Sequence, residues 1–182
     1  MKSTLRAKIC QTLVDAWRPH DWFALDERVE NHYFHKAAIV ADLKPRRVIE
    51  IGTRCGYSLA CFATVAPDAR YLCIDGAMDE DSLECLAHWQ SVVDRWAIDA
   101  SLIIVDSHAV KSLPPADFAH VDGDHSFAGA LADLCLVAHV PAILADDCDN
   151  AQVKAAVVQF ATDRRRSVDW INDGLRQAAV LT

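Results

Sequence analysis

The strongest constraint on the fold is an alternation of short apolar runs with amphipathic stretches, which begins near residue 47. Short β-branched runs that end at Gly, Pro or an acidic residue predict strands, and the longer periodic stretches between them predict helices. The predicted strands are Arg47–Ile51, Arg70–Ile74, Ser101–Val105, Phe118–Val121 and Ala142–Leu144, with a closing pair at Val168–Ile171 and Gln177–Leu181. The predicted helices are Ser58–Val65, Asp81–Ile98, Ser126–Ala138 and Gln152–Thr162.

This order of elements determines the predicted fold class. Strands separated by helices favour parallel pairing through right-handed crossovers. We therefore predict an α/β sandwich with a mostly parallel seven-stranded sheet and an antiparallel closing strand. A chain of 182 residues has the length of one domain. We assign residues 1–45 to a helical N-terminal segment and residues 46–182 to the core of that domain.

Composition excludes several function classes. The net charge of −8 argues against a nucleic-acid partner, because phosphate binding needs clustered Lys and Arg. No stretch approaches the ~18 unbroken apolar residues of a membrane span, and the N-terminal residues predict a helix rather than a signal peptide. The seven cysteines are odd in number and contain no C-x-x-C pair. We interpret them as reduced thiols of a cytoplasmic protein without a zinc cluster.

Acidic residues close or follow each of the five strands that precede the closing pair. Ligands of such sheets bind beyond the carboxyl ends of the strands. The acids at these ends are Glu50, Asp75, Asp106, Asp122 and the neighbours Asp146 and Asp147. Their convergence on one edge predicts a functional site there.

A glycine loop, E-I-G-T-R-C-G-Y-S, follows the first strand. Gly52 and Gly56 allow a tight turn and a close approach of a ligand to the backbone, and the next helix points its N-terminal amides at the site. Arg54 occupies the position where a dinucleotide fingerprint needs its second glycine, so NAD is disfavoured. Asp75, at the end of the second strand, is well placed to accept both hydroxyls of a ribose.

The segment VIEIGTRCGYS resembles the first motif of class I methyltransferases that use S-adenosylmethionine (SAM), especially the catechol O-methyltransferase type. The segment HVDGDHSFAGALADL is similar to a related metal-dependent group that methylates macrolide sugars, and the resemblance covers roughly residues 36 to 160. It implies a Rossmann-like fold and SAM as cofactor. The implied cofactor-binding residues are Glu50, Gly52, Thr53, Gly56, Ser58, Asp75, Asp106 and Ser107.

The same resemblance implies a metal site and a catalytic base. The expected metal ligands are Asp122, Asp146 and Asp147, and His125 is the expected general base. Converging carboxylates raise one another's pKa unless a cation is present, and oxygen ligands suit Mg²⁺. Imidazole accepts a proton at neutral pH. The catechol type carries Lys at position 125 and Asn at position 147, so the sugar-modifying group is the better match.

We therefore predict a SAM-dependent, Mg²⁺-assisted O-methyltransferase that acts on a small hydroxylated molecule, such as a sugar, polyol or natural product. Two alternatives stay open. A D-G-D segment at 122–124 also suits a metal-dependent nucleotide-sugar transferase, and the short chain suits a non-catalytic SAM-binding module or one half of a homodimer. Helix capping remains an alternative role for Asp124, His125 and Asp146.

The N-terminal segment contains two further features. His32 and His35 lie one helical turn apart, and we expect them on a hydrated helix face, with a metal pair as the alternative. Four aromatic residues are expected to pack in the core or an interface, or else to line the acceptor pocket. These are Trp22, Phe23, Tyr33 and Phe34.

Overall fold

The computed structural model describes residues 2–18, 24–76 and 82–182. The strands within these ranges are β1 (Arg47–Ile51), β2 (Arg70–Asp75), β3 (Ala100–Ile104), β4 (Phe118–Val121), β5 (Ala142–Ala145), β6 (Val168–Asn172) and β7 (Gln177–Leu181). The helices are α1 (Lys2–Ala16), α2 (Glu27–Leu43), α3 (Tyr57–Val65), α4 (Ser82–Trp96), α5 (Phe127–Leu136) and α6 (Ala151–Arg164), with a 3-10 turn at Ser107–Ala109. Each predicted strand and helix is present within a few residues of its expected bounds, although the predicted start of α4 at Asp81 lies outside the described residues.

The seven described strands form one sheet in the order β3-β2-β1-β4-β5-β7-β6. The first five strands along the chain pair in parallel, and β7 runs antiparallel to both β5 and β6. This arrangement confirms the predicted α/β sandwich and its antiparallel closing strand. The strand order reverses between β1 and β4, and open α/β sheets bind their ligands at such a reversal.

Alternating side chains of the strands bury two apolar layers, one on each face of the sheet. Val48 and Phe118 face the layer formed with α1, α2, α3 and α4, whereas Ile49 and Ala119 face the layer formed with α5 and α6. Because β1, β4 and β5 pack into these layers, the carboxyl ends of the central strands are held in place. None of the described helices is long and apolar enough to cross a membrane.

The N-terminal helices cover one face, and α2 reaches the edge of the sheet where the strands end. Asp26 caps α2 by accepting hydrogen bonds from the backbone amides of Arg28 and Val29. The buried face of the helix includes Val29 and Val40, but it also includes His32 and Lys36. Two polar side chains on a buried helical face require partners in the interior.

Candidate active site

The glycine loop connects β1 to α3, and both of its glycines have positive φ angles. Gly52 has φ 81° and Gly56 has φ 80°. A Cβ atom at Gly52 would lie 2.0 Å from the carbonyl oxygen of Asp122, so only glycine lets the loop rest on the end of β4. A Cβ atom at Gly56 would lie 3.0 Å from Cδ1 of Trp89. Packing against the protein itself therefore accounts for both glycines.

Buried side chains hold this loop from below. The Thr53 hydroxyl donates to Oε2 of Glu50 at 2.7 Å and accepts from Nε1 of Trp89 at 3.1 Å. The other oxygen of Glu50 lies 3.0 Å from Nδ1 of His120, which was not singled out in the sequence. Burial acts to lower the pKa of His120, but the nearby carboxylate of Asp146 and the hydrogen bond with Glu50 outweigh it and raise that pKa to about 9. The structure thus places the Glu50 side chain in the interior, where it anchors the loop.

A first cavity of about 490 Å³ opens beyond the ends of β1, β2 and β3. The backbone amide of Arg54 donates to Oδ2 of Asp75 at 2.7 Å on one side of it. On the opposite side, Ser107 donates its hydroxyl to Oδ1 of Asp133 at 2.5 Å. The predicted site residues that line this cavity are Gly52, Asp75, Asp106, Ser107 and Asp122.

A second cavity of about 810 Å³ lies between the loop and α2. It shares Gly52, Arg54, Asp122 and Gly123 with the first cavity, so the two meet at the end of β4. The predicted site residues along it are Gly52, Thr53, Ser58, Asp122, His125, Asp146 and Asp147. Two predicted cofactor-binding residues, Glu50 and Gly56, line neither cavity.

Asp146 lies at the floor of the second cavity and is bound by two basic side chains of α2. Its Oδ2 accepts from Nζ of Lys36 at 2.7 Å and lies 3.2 Å from Nε2 of His32. The side chains of Lys36 and Asp146 are 4% and 2% exposed. Burial acts to raise the pKa of Asp146, but Lys36 and His32 hold that pKa well below its usual range. The acid is therefore ionised inside the protein with its charge already matched.

Asp147 forms an ion pair with Arg176, a residue that was not predicted from the sequence to belong to the site. Its Oδ1 accepts from Nη1 of Arg176, which lies in the turn between β6 and β7. Burial, together with the charges of Asp122 and Asp146, raises the pKa of Asp147. The Arg176 guanidinium opposes this effect, because its positive charge stabilises the ionised form of the Asp147 carboxylate.

His125 lies just before α5, and its side chain is close to the carboxylates of Asp122 and Asp147. Its Nε2 lies 3.5 Å from Oδ1 of Asp122 and 3.3 Å from Oδ2 of Asp147. The nearby Asp122 carboxylate is the main cause of its raised pKa, and burial acts in the opposite direction. Ser126 rather than His125 caps α5, because its hydroxyl accepts from the amide of Gly129. The His125 side chain is 47% exposed and faces the second cavity, so a proton can enter and leave it.

The expectation that His32 lies on a hydrated helix face is wrong. His32 is buried, with Nδ1 2.6 Å from Oδ2 of Asp173 and Nε2 beside Asp146. Burial and the charge of Lys36 act to lower the pKa of His32, but the two carboxylates outweigh them and raise it. A signal was present in the sequence: His32 and Lys36 are four residues apart, between Val29 and Val40, on one face of the helix.

The aromatic residues of the N-terminal segment differ in placement. Tyr33 lines the second cavity, and Nζ of Lys36 lies 4.5 Å above the centre of its ring. Phe34 is partly buried and packs against the core. Trp22 and Phe23 lie outside the described residues.

Two groups of side chains have ligand atoms within 4.8 Å of one another, the spacing that a metal ion requires. One group contains His120, Asp122 and Asp146, and the other contains Asp122, His125 and Asp147. Asp122 belongs to both groups and lies at the junction of the two cavities. Among the described residues, these groups bring all three predicted metal ligands and the predicted base to one place.

Comparison with known proteins identifies the fold. A family model described as a methyltransferase domain matches residues 49–148, and no curated protein sequence matches significantly. An O-methyltransferase from Bacillus cereus, in complex with S-adenosylhomocysteine (SAH), is 19% identical in sequence with a TM-score of 0.62. The match covers 98% of this chain and 90% of the Bacillus cereus chain. The SAM complex of the O-methyltransferase TomG of tomaymycin synthesis, from Streptomyces achromogenes, is 15% identical with a TM-score of 0.60, over 97% and 88%. An SAH-bound methyltransferase from Podospora anserina is 12% identical with a TM-score of 0.66, over 97% and 86%. These likenesses confirm the predicted class I methyltransferase fold.

Proposed function

The chain belongs to the methyltransferase domain family, and from this membership we propose that it transfers the methyl group of SAM to a hydroxyl of a small molecule. The observation that carries the proposal is the junction of the two cavities at Gly52 and Asp122. Methyl transfer is an in-line displacement, so donor and acceptor must meet end to end. Two cavities that share one wall supply that arrangement.

The first cavity suits the adenosine part of SAM. The Asp75 carboxylate lines it and offers acceptors for the ribose hydroxyls, while Asp106 and Ser107, which also line it, would lie near the adenine. The methionine part would then extend over Gly52 toward Thr53 and Ser58. Solved structures of similar proteins with bound SAM or SAH support this cofactor.

The second cavity suits the acceptor, and His125 is positioned to take its proton. The hydroxyl proton would pass to Nε2 of His125 as the oxygen attacks the methyl carbon and the carbon–sulfur bond breaks, leaving SAH and the methyl ether. Asp122 and Asp147 stabilise the imidazolium that forms. The half-exposed ring can then release the proton to water.

We propose that Mg²⁺ binds between the carboxylates of Asp122 and Asp147, beside His125, which stays free to act as the base. Mg²⁺ is usually held by one or two carboxylates and retains several waters, which fits the carboxylates of Asp122 and Asp147. When bound, Mg²⁺ supplies a positive charge that lowers the pKa of a hydroxyl beside it. Asp146 remains a predicted ligand, although Lys36 and His32 already occupy its Oδ2.

The size of the second cavity and the net charge of the chain support the proposed acceptor class. A volume of about 810 Å³ accommodates a molecule of sugar or natural-product size. The net charge of −8 favours such an acceptor over a nucleic acid. The similar protein from tomaymycin synthesis supports a natural product as the acceptor. We also propose that the protein is a homodimer in the cytoplasm.

Calorimetry with SAM and SAH tests the cofactor assignment. Asp75→Ala should weaken SAM binding by roughly tenfold or more, because a hydrogen-bonded carboxylate is worth about 1.5–3 kcal/mol, whereas Asp68→Ala on the exposed surface should not. Wild-type protein that fails to bind SAM at about 1 mM, an affinity of only about 4 kcal/mol, would refute the assignment.

The base is tested by SAH release from a panel of phenols, sugars and polyols. His125→Ala should lower turnover by ~10²–10⁴ without loss of SAM affinity. The exposed His139, which contacts the carbonyl of Pro114, provides the control His139→Ala. A change in turnover no larger than that of the control would exclude His125 as the base.

A further inference from the structure

Two free cysteines face each other behind the first cavity. Cys55 belongs to the glycine loop, and Cys85 lies in the first turn of α4. Their Sγ atoms are 2.9 Å apart, and both residues are at most 2% exposed. A disulfide bond is about 2.05 Å long, so the sulfurs need to approach by less than roughly 1 Å to form one.

The surroundings of the pair favour a reaction that begins at Cys85. Cys85 is one of the residues that line the first cavity, so a small reagent that enters an empty cofactor site comes next to this buried thiol. Nη1 of Arg18 lies 3.1 Å from Sγ of Cys85 and 3.5 Å from Sγ of Cys55. A guanidinium at this distance stabilises a thiolate. Burial and the Cys55 thiol oppose it and raise the pKa of Cys85 to about 12, so little thiolate is present at neutral pH and the reaction is slow.

The loop that carries Cys55 also carries the contacts proposed for SAM. The neighbouring Arg54 donates its amide to Asp75, and Thr53 on its other side is held by Trp89 of α4. Arg54 has φ 43°, a strained angle for a residue with a side chain, so the loop has little freedom to absorb a shift. Any movement of Cys55 toward α4 therefore displaces the amide bound to Asp75.

We propose that Cys55 and Cys85 form a reversible disulfide with a low-molecular-weight disulfide as oxidant, and that this bond weakens SAM binding. The Cys85 thiolate attacks the oxidant and releases one thiol, forming a mixed disulfide. Cys55 then attacks the Cys85 sulfur and releases the second thiol. The protein loses two electrons and two protons, and the oxidant gains both. The effect on SAM rests on the proposed function, whereas the disulfide itself does not.

The test treats the full chain with glutathione disulfide, blocks the remaining thiols, and maps the cysteines by mass spectrometry. We expect a peptide pair joined through Cys55 and Cys85, and a loss of SAM affinity of roughly 5- to 150-fold, the usual range of coupling between two sites. Saturating SAH should slow formation of the bond, and a dithiol reductant should restore SAM binding.

Three variants separate the steps. Cys55→Ser should stop at a mixed disulfide on Cys85. Cys85→Ser should have the same SAM affinity, whatever its value, with and without the oxidant. Cys135→Ser, which removes an exposed thiol on α5, should behave as wild type. Modification of Cys135 without the Cys55–Cys85 bond would overturn the proposal, as would the bond with unchanged SAM affinity. If the reduced protein binds no SAM, the proposed function fails, while the joined peptides still report the disulfide.

Discussion

Three glycines have nearly the same positive φ angle but differ in what surrounds them. Replacing each of them therefore distinguishes the cost of backbone strain from the cost of steric contact. Gly52, Gly56 and Gly174 have φ angles of 81°, 80° and 89°. A Cβ atom at Gly174 meets nothing within 4 Å, whereas one at Gly52 would lie 2.0 Å from the carbonyl oxygen of Asp122. We predict that replacing these glycines with alanine destabilises the protein in the order of the contacts, with Gly52→Ala the worst.

The magnitudes follow from the two causes. The left-handed conformation costs an alanine about 1–2 kcal/mol, offset by about 0.4–1 kcal/mol from the less flexible unfolded chain. Gly174→Ala should therefore cost about 1 kcal/mol. At Gly52 the end of β4 must also retreat before the new methyl group, and overpacking of this kind costs typically 1–3 kcal/mol more. Gly56→Ala should fall between them, because Trp89 is a side chain and can yield.

Urea unfolding followed by tryptophan fluorescence measures these differences, provided that the slope with denaturant is the same in all variants. SAM affinity is the second measurement: Gly52→Ala should lose it because the loop no longer rests on Asp122, and Gly174→Ala should keep it. Equal destabilisation by Gly52→Ala and Gly174→Ala would refute the steric argument, since backbone strain alone would then explain both.

Two further predictions concern the buried ion pairs of α2. Asp146→Asn should destabilise the protein by about 3–5 kcal/mol in urea, because it leaves the buried basic side chains of Lys36 and His32 without the negative charge that they share. Lys36→Met should cost less, since Asp146 keeps His32, and the reverse order would contradict the assigned network. Burial acts to raise the pKa of Asp173, but the hydrogen bond with His32 outweighs it and lowers that pKa to about 2, against 3.8 in the unfolded chain. The resulting stability is present above about pH 4 and is lost as the pH falls toward 2. Asp173→Asn should therefore make the free energy of unfolding less dependent on pH between about 2 and 4. An unchanged pH dependence in this range would exclude the hydrogen bond between His32 and Asp173.

The fold was predictable because its signals are local. The buried parallel strands of this chain are short apolar runs, and the residues that bound them interrupt the pattern. The Rossmann-like order then follows from the general preference for right-handed crossovers. The end of β2 shows the remaining uncertainty: Asp75 was read as a residue after the strand, and it is the last residue within it.

The acidic half of the candidate site was also predictable, because topology alone brings the ends of β4 and β5 together. The basic half was not. Lys36 meets Asp146 across 110 residues of sequence, and Arg176 meets Asp147 from a turn between the last two strands. Strand and helix periodicity determine which elements form, but not which distant side chain fills the space between them. A lysine on an apolar helix face was the available clue.

These basic side chains reduce the need for a metal ion among the carboxylates of the site. From sequence, three converging carboxylates seemed to need a metal ion, but five acids here face five basic side chains of the same chain. The acids are Glu50, Asp122, Asp146, Asp147 and Asp173, and the basic residues are His32, Lys36, His120, His125 and Arg176. Charge repulsion is therefore a weaker argument for Mg²⁺, and the main remaining argument is that the carboxylates of Asp122 and Asp147 both line the second cavity.

Arg176 then becomes a competitor of the metal for Asp147. Two unit charges 4 Å apart interact by about 4 kcal/mol near a protein surface, so removing the guanidinium should tighten Mg²⁺ binding by at least roughly tenfold. Calorimetric titration of Arg176→Gln with Mg²⁺ measures this, with the exposed Arg164→Gln as the control of equal charge change. Weaker Mg²⁺ binding in Arg176→Gln than in Arg164→Gln would mean that Arg176 orients Asp147 for the metal instead of opposing it.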